Sequence, residues 1–63
     1  MIRFTANWAM ALYLADNLRY QKIDFKQYVT DRTTVIFEFS DTDRERVTKL
    51  CKGLATEVAN NDR

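Results

Sequence analysis

Four periodic segments follow one another along the chain. Ile2-Arg3-Phe4 alternates apolar and polar side chains and predicts a short strand. Thr5 and Asn7 come next, each able to accept the first free N–H groups of a helix. From Asn7 to Arg19 the residues are mainly Ala, Leu and Met. At about 100° per residue, Met10, Ala11, Leu14, Ala15 and Leu18 gather on one face, which is expected to be core. Trp8 and Leu12 project to the flank of that face and Tyr13 lies nearly opposite, so the apolar surface extends well past one stripe. Such a helix is either sandwiched inside its own domain or covered by a partner.

The period then changes to two. Gln21, Ile23, Phe25, Gln27 and Val29 point one way and Tyr20, Lys22, Asp24, Lys26 and Tyr28 the other, which predicts a strand. The polar run Thr30-Asp31-Arg32-Thr33 suits a four-residue loop, and Val35, Phe37 and Phe39 alternate with Thr34, Ile36 and Glu38 beyond it. Two strands joined by a short turn make an antiparallel hairpin. Its inner face is predicted to carry Ile23, Phe25, Val29, Val35, Phe37 and Phe39.

A helical period closes the chain. Ser40-Asp41-Thr42 offers N-cap candidates, Thr42 and Glu45 have capping-box spacing, and Asp43 and Glu45 set negative charge at the positive end of the helix dipole. Val47, Leu50, Cys51, Leu54, Ala55 and Val58 recur at intervals of three and four, leaving Arg44, Arg46, Lys49, Lys52 and Glu57 to solvent. Gly53 costs such a helix about 1 kcal/mol relative to Ala. It either ends the helix as a C-cap or permits close approach to a neighbour. Because the period runs through it without a phase slip, one helix to about Ala59 is predicted, with Asn60 to Arg63 fraying. The expected architecture is α+β in the order short β-α-β-β-α, one domain over 1–63, with two helices on one face of a small antiparallel sheet.

Composition narrows the chemistry. Sixty-three residues bury only about 60% of the surface that the unfolded chain exposes, so little apolar surface can be left over from the core without consequence. There is no His, and the single Cys can make neither an internal disulfide nor a zinc cage. Neither catalysis, nor a metal site, nor a cofactor is expected. Cys51, on an apolar helical position with no activating neighbour, reads as a small buried hydrophobe. Asp41, Asp43 and Glu45 alternate like calcium ligands, but the Gly and later Glu of a calcium loop are missing, and capping explains them. The longest apolar run, Trp8 to Ala15, is eight residues against the roughly 20 that span a bilayer. No membrane partner is expected, the opening residues do not read as a secretory leader, and a lone thiol fits the cytoplasm.

Two surfaces remain as candidates. Trp8, Leu12 and Tyr13 are candidate partner-binding residues, unless the hairpin folds over them. A formal net charge of +1 does not mark a nucleic-acid binder, but Tyr20, Lys22, Lys26 and Tyr28 interleave rings with amines, and Arg46 and Lys49 share a helical row. These six form the alternative, nucleic-acid reading. Asp24 and Glu38 share the strand face and oppose phosphate.

Thr5 to Leu14, Val35 to Asp41 and Val47 to Gly53 together resemble a family of small bacterial and phage or prophage domains of unknown function. The shared pattern is a Thr-started helix with an Ala-rich aromatic heart, an aromatic-alternating strand ending in an acidic turn, and a final helix. The chain departs from it where Leu18-Arg19-Tyr20 stands in place of a Gly, and in stopping soon after Gly53. The resemblance implies a small accessory protein of a mobile element and carries over no active residue. The expectation is therefore a non-enzymatic protein-interaction module, a homodimer that binds a host protein, with nucleic-acid binding as the alternative.

Overall fold

A computed structural model describes residues 1–58. In chain order it holds β1 (Ile2–Asn7), α1 (Trp8–Tyr20), β2 (Lys26–Val29), β3 (Thr34–Phe39), a 3-10 turn (Asp41–Asp43), α2 (Arg44–Cys51) and β4 (Thr56–Glu57). The sheet is antiparallel throughout, in the spatial order β2-β3-β1-β4. β3 sits between β1 and β2, which α1 connects, and β1 sits between β3 and β4, which α2 connects. Two interlocked split βαβ units of this kind make the ferredoxin-like arrangement.

Both helices pack on the same side, as the two periods require. Ile2, Phe4 and Ala6 of β1 and Val35, Phe37 and Phe39 of β3 form one buried cluster with Ala11, Leu14, Ala15 and Leu18 of α1 and Val47 and Cys51 of α2. Edge-on packing of Phe4 on Phe39 at 6.0 Å and stacking of Phe37 along Phe39 at 6.2 Å fill its centre. The first helix starts as predicted, with Asn7 Oδ1 accepting the Met10 N–H at 2.9 Å. The hairpin loop also forms as predicted. Asp31 Oδ1 accepts the N–H groups of Thr33 and Thr34 at 2.8 and 2.9 Å, which holds the Asp31 carboxyl below its usual range.

Four expectations are corrected. β1 is longer than Ile2-Arg3-Phe4 because pairing with β3 continues to Asn7 opposite Thr34. The strand expected from Tyr20 is confined to Lys26–Val29, because α1 runs on to Tyr20 and then turns. The Lys22 N–H donates to Arg19 O at 3.1 Å and the Ile23 N–H to Leu18 O at 3.0 Å. These are the two bonds of a Schellman motif, in which Lys22 takes the left-handed position at φ 60° and buried Ile23 lies one residue beyond it. Gly usually marks this stop, and its absence let the alternation read as strand.

The last helix ends at Cys51 rather than near Ala59. Lys52 at φ −59°, ψ 121° and Gly53 at φ 81°, with the Leu54 N–H on Cys51 O at 2.8 Å, form a type II turn, which requires positive φ at its third position. The chain then returns as β4 beside β1, where the Val58 N–H reaches Arg3 O at 2.8 Å and Glu57 accepts from Arg44 at 3.1 Å. Ala59 and the expected fraying of Asn60 to Arg63 lie outside the described residues. The Thr42–Glu45 capping box is also not the cap. Ser40 Oγ accepts the Thr42 N–H at 3.3 Å and starts the 3-10 turn, while the Asp43 side chain makes no capping bond to α2.

Candidate functional site

The side of the molecule between α1 and β2 is where apolar surface is left over. Ala11 and Ala15 of α1 and Val35 of β3 are buried at the floor of a groove of about 310 Å³. Small side chains at positions 11 and 15 leave this space open. Trp8 and Leu12, one helical turn apart, form one wall and Val29 of β2 the other, with Asp16, Arg19 and Gln27 on the rim. Trp8 is 41% exposed, Leu12 64% and Val29 58%. The hairpin does not fold over the flank of α1. Tyr13, 59% exposed, lies outside this groove. The structure thus groups Trp8 and Leu12 with each other and not with Tyr13.

Val29 was expected on the inner face. Its register opposite buried Val35 confirms the parity, but every residue of β2 is exposed, so the burial expected for Val29 is corrected. β2 is the terminal strand, and the buried face of α1 lies over β1 and β3. The alternation could reveal which way Val29 points, but it carried no information on whether a helix lies above it.

β2 also leaves backbone groups open. The Thr30 N–H donates to Thr34 O at 3.1 Å, so with strand alternation the even positions Lys26 and Tyr28 bond toward β3. The N–H and C=O of Gln27 and Val29 therefore point away from the sheet, along its free edge. Their side chains lie on the helical side, at the groove. Open backbone groups and an apolar groove adjoin at the same two residues.

On the opposite, solvent-facing side of the sheet, Glu38 joins three strands. Its Oε2 accepts from Arg3 Nε at 2.8 Å and its Oε1 from the Tyr28 hydroxyl at 3.1 Å, and Lys26 pairs with it across β2 and β3. The Arg3 bond holds the Glu38 carboxyl below its usual range, and the bond to Glu38 pushes the Tyr28 phenol up. Lys26 and Tyr28 therefore share a face with an ionised carboxylate, as the alternation predicts. Tyr20 and Lys22 do not share it, being at the end of α1 and in the turn after it, a correction to their expected strand positions. Arg46 and Lys49 of α2 line a shallow groove with Gln21, and Arg46 Nη2 donates to Gln21 O at 2.9 Å. The six basic and aromatic candidates are thus spread over the sheet, the α1 turn and α2.

Among the described residues, no group of three or more His, Cys, Asp or Glu is placed to hold a metal ion, and no helix is long and apolar enough to cross a membrane. Cys51 is buried, and burial pushes its thiol up to about 11. Comparison of the chain with family models, with curated proteins and with solved structures finds no match.

Proposed function

We propose that this chain is a small non-enzymatic protein-interaction module whose contact surface is the groove side of α1, and that it serves as an accessory protein of a phage or prophage. One observation carries the contact reading: Trp8, Leu12 and Val29 form a contiguous, exposed apolar patch around a groove with a polar rim. Scattered exposed hydrophobics are ordinary, whereas a contiguous patch rimmed by polar groups marks an interaction site. Trp at the edge of a groove is also the residue type that most often dominates binding energy at interfaces. The accessory role rests on the family resemblance of the helix and strand segments, and a bacterial host protein is the partner it implies.

Leu12→Glu tests the contact reading. Leu12 is exposed, so the substitution is expected to leave the unfolding midpoint within about 0.5 kcal/mol of wild type. Sedimentation of the purified chain, and capture of proteins from a bacterial lysate, should both show association that Leu12→Glu abolishes. Tyr13→Glu, outside the groove, should weaken it far less. A wild-type chain that stays monomeric at several hundred micromolar and captures nothing sensitive to Leu12→Glu refutes the reading.

A further inference from the structure

We infer that the groove and the open edge of β2 are together completed by a second copy of this chain, through antiparallel pairing of β2 with β2 about a two-fold axis at Tyr28. This joins two four-stranded sheets into one of eight strands. The inference rests on the reading of the α1 side as a protein-contact surface and adds the partner and the geometry.

The open edge is the first argument. Gln27 and Val29 present two N–H donors and two C=O acceptors outward, on a terminal strand that no other element of the described residues pairs with. An edge of this kind is a template for another strand. Antiparallel pairing centred on Tyr28 sets Gln27 of each copy opposite Val29 of the other, and all four bonds are then made by residues inside β2. Centring on Gln27 or on Val29 instead would draw Phe25 or Asp31 into the ladder, and both lie outside the strand.

Charge selects the same register. Centred on Tyr28, the only charged residue of β2, Lys26, faces Thr30 of the second copy. Asp24 and Arg32, opposite in sign and flanking β2 at its two ends, are brought to the same end of the junction. Centring on Val29 would instead bring Lys26 to the level of Arg32. Like charges directly opposite each other destabilise a strand pair. With a formal net charge of +1 per chain, the two copies also repel little overall.

Side-chain placement completes the fit. Gln27 and Val29 point to the helical side, so an added β2 strand sets its own Val29 beside Gln27, toward the Asp16 and Arg19 end of the groove, and its own Gln27 beside Val29, toward the Trp8 and Leu12 end. The same contact is made twice about the axis, which is the self-complementarity that a two-fold dimer requires. On the solvent-facing side the two Tyr28 residues lie opposite each other across the axis, as a pair whose backbones do not bond each other and whose Cα atoms lie about 4.5 Å apart.

Disulfide trapping reads that pair directly. Tyr28→Cys in the full chain should cross-link to its copy under a glutathione redox buffer, since about 4.5 Å between Cα atoms lies within disulfide range. Lys26→Cys should not, its copies being about 13 Å apart along the strands at about 3.3 Å per residue. Cys51 is buried and does not compete. A chemically synthesised chain carrying N-methylvaline at position 29 loses the outward N–H but keeps the β2–β3 ladder. Its dimer Kd should rise about tenfold or more, with the unfolding midpoint of the monomer unchanged. Cross-linking of Tyr28→Cys alone, together with the N-methyl effect, supports the inference. A dimer that neither cross-links through position 28 nor responds to N-methylation overturns it and leaves the groove side of α1 as a contact surface for another arrangement. A chain that stays monomeric yet captures a host protein through Leu12 also overturns it, with that contact surface intact.

Discussion

Lys22→Gly is expected to stabilise this protein by about 1 kcal/mol, although it removes a charged side chain and adds no contact. Lys22 sits at φ 60° where α1 turns out of its helix, and the two Schellman bonds at 3.1 and 3.0 Å hold it there. A residue with a Cβ loses about 1–2 kcal/mol in the left-handed region, because the Cβ crowds the following carbonyl. Gly removes that cost but returns about 0.4–1 kcal/mol through its greater freedom in the unfolded chain. The balance favours Gly. In a domain this small, about 1 kcal/mol corresponds to a rise of about 4–8 °C in Tm. Urea unfolding followed by far-ultraviolet circular dichroism, with an unchanged m value, measures the free energy. Lys22→Ala separates backbone from charge, since it loses the ammonium and keeps the Cβ, and it should stay within about 0.5 kcal/mol of wild type. If Gly proves no more stable than Ala at this position, the strain argument is wrong.

Gly53→Ala should cost about 1 kcal/mol, the left-handed backbone cost of about 1–2 kcal/mol less the gain of about 0.4–1 kcal/mol from restricting the unfolded chain, because a Cβ there meets no atom within 4 Å. Faster hydrogen exchange of the Val58 amide, which bonds Arg3 O, would report the accompanying loss of β4. Glu38 and Asp31 both have folded-state pKa values held below their ordinary 4.5 and 3.8, so the unfolded chain takes up their protons first. The stability they supply is fully present above those ordinary values and is lost as pH falls through the lower folded ones. Urea midpoints measured from pH 7 to pH 2 should therefore fall in the acid range, and less steeply in Glu38→Gln; equal slopes would exclude a role for the Arg3–Glu38 bond. Cys51, its thiol pushed up to about 11 by burial, should react with a disulfide reagent at pH 8 only as fast as the domain opens, and added urea should accelerate the reaction.

What the residues by themselves determined was local. The α1 core face of Ala11, Leu14, Ala15 and Leu18, its Asn7 cap, the Thr30–Thr33 loop and the inward Val35, Phe37 and Phe39 follow from interactions within a few positions of the chain, and all were legible. The place of Trp8 and Leu12 on the flank of that face was legible too, because helical period alone defines it, whereas their exposure was settled only by where the hairpin lies. The stops of the two helices were less legible. Lys22 occupies a position usually marked by Gly, and Gly53 interrupts an apolar period that continues in register beyond it. Only the tertiary structure decided the fourth strand, since two residues, Thr56 and Glu57, carry no period of their own and become a strand by lying beside β1. It also decided that β2 is an edge, which leaves Val29 exposed and the backbone of Gln27 and Val29 open beside the groove. Strand order is a non-local property: alternation tells which way a side chain points, and only the arrangement of the other elements tells whether anything is there to cover it.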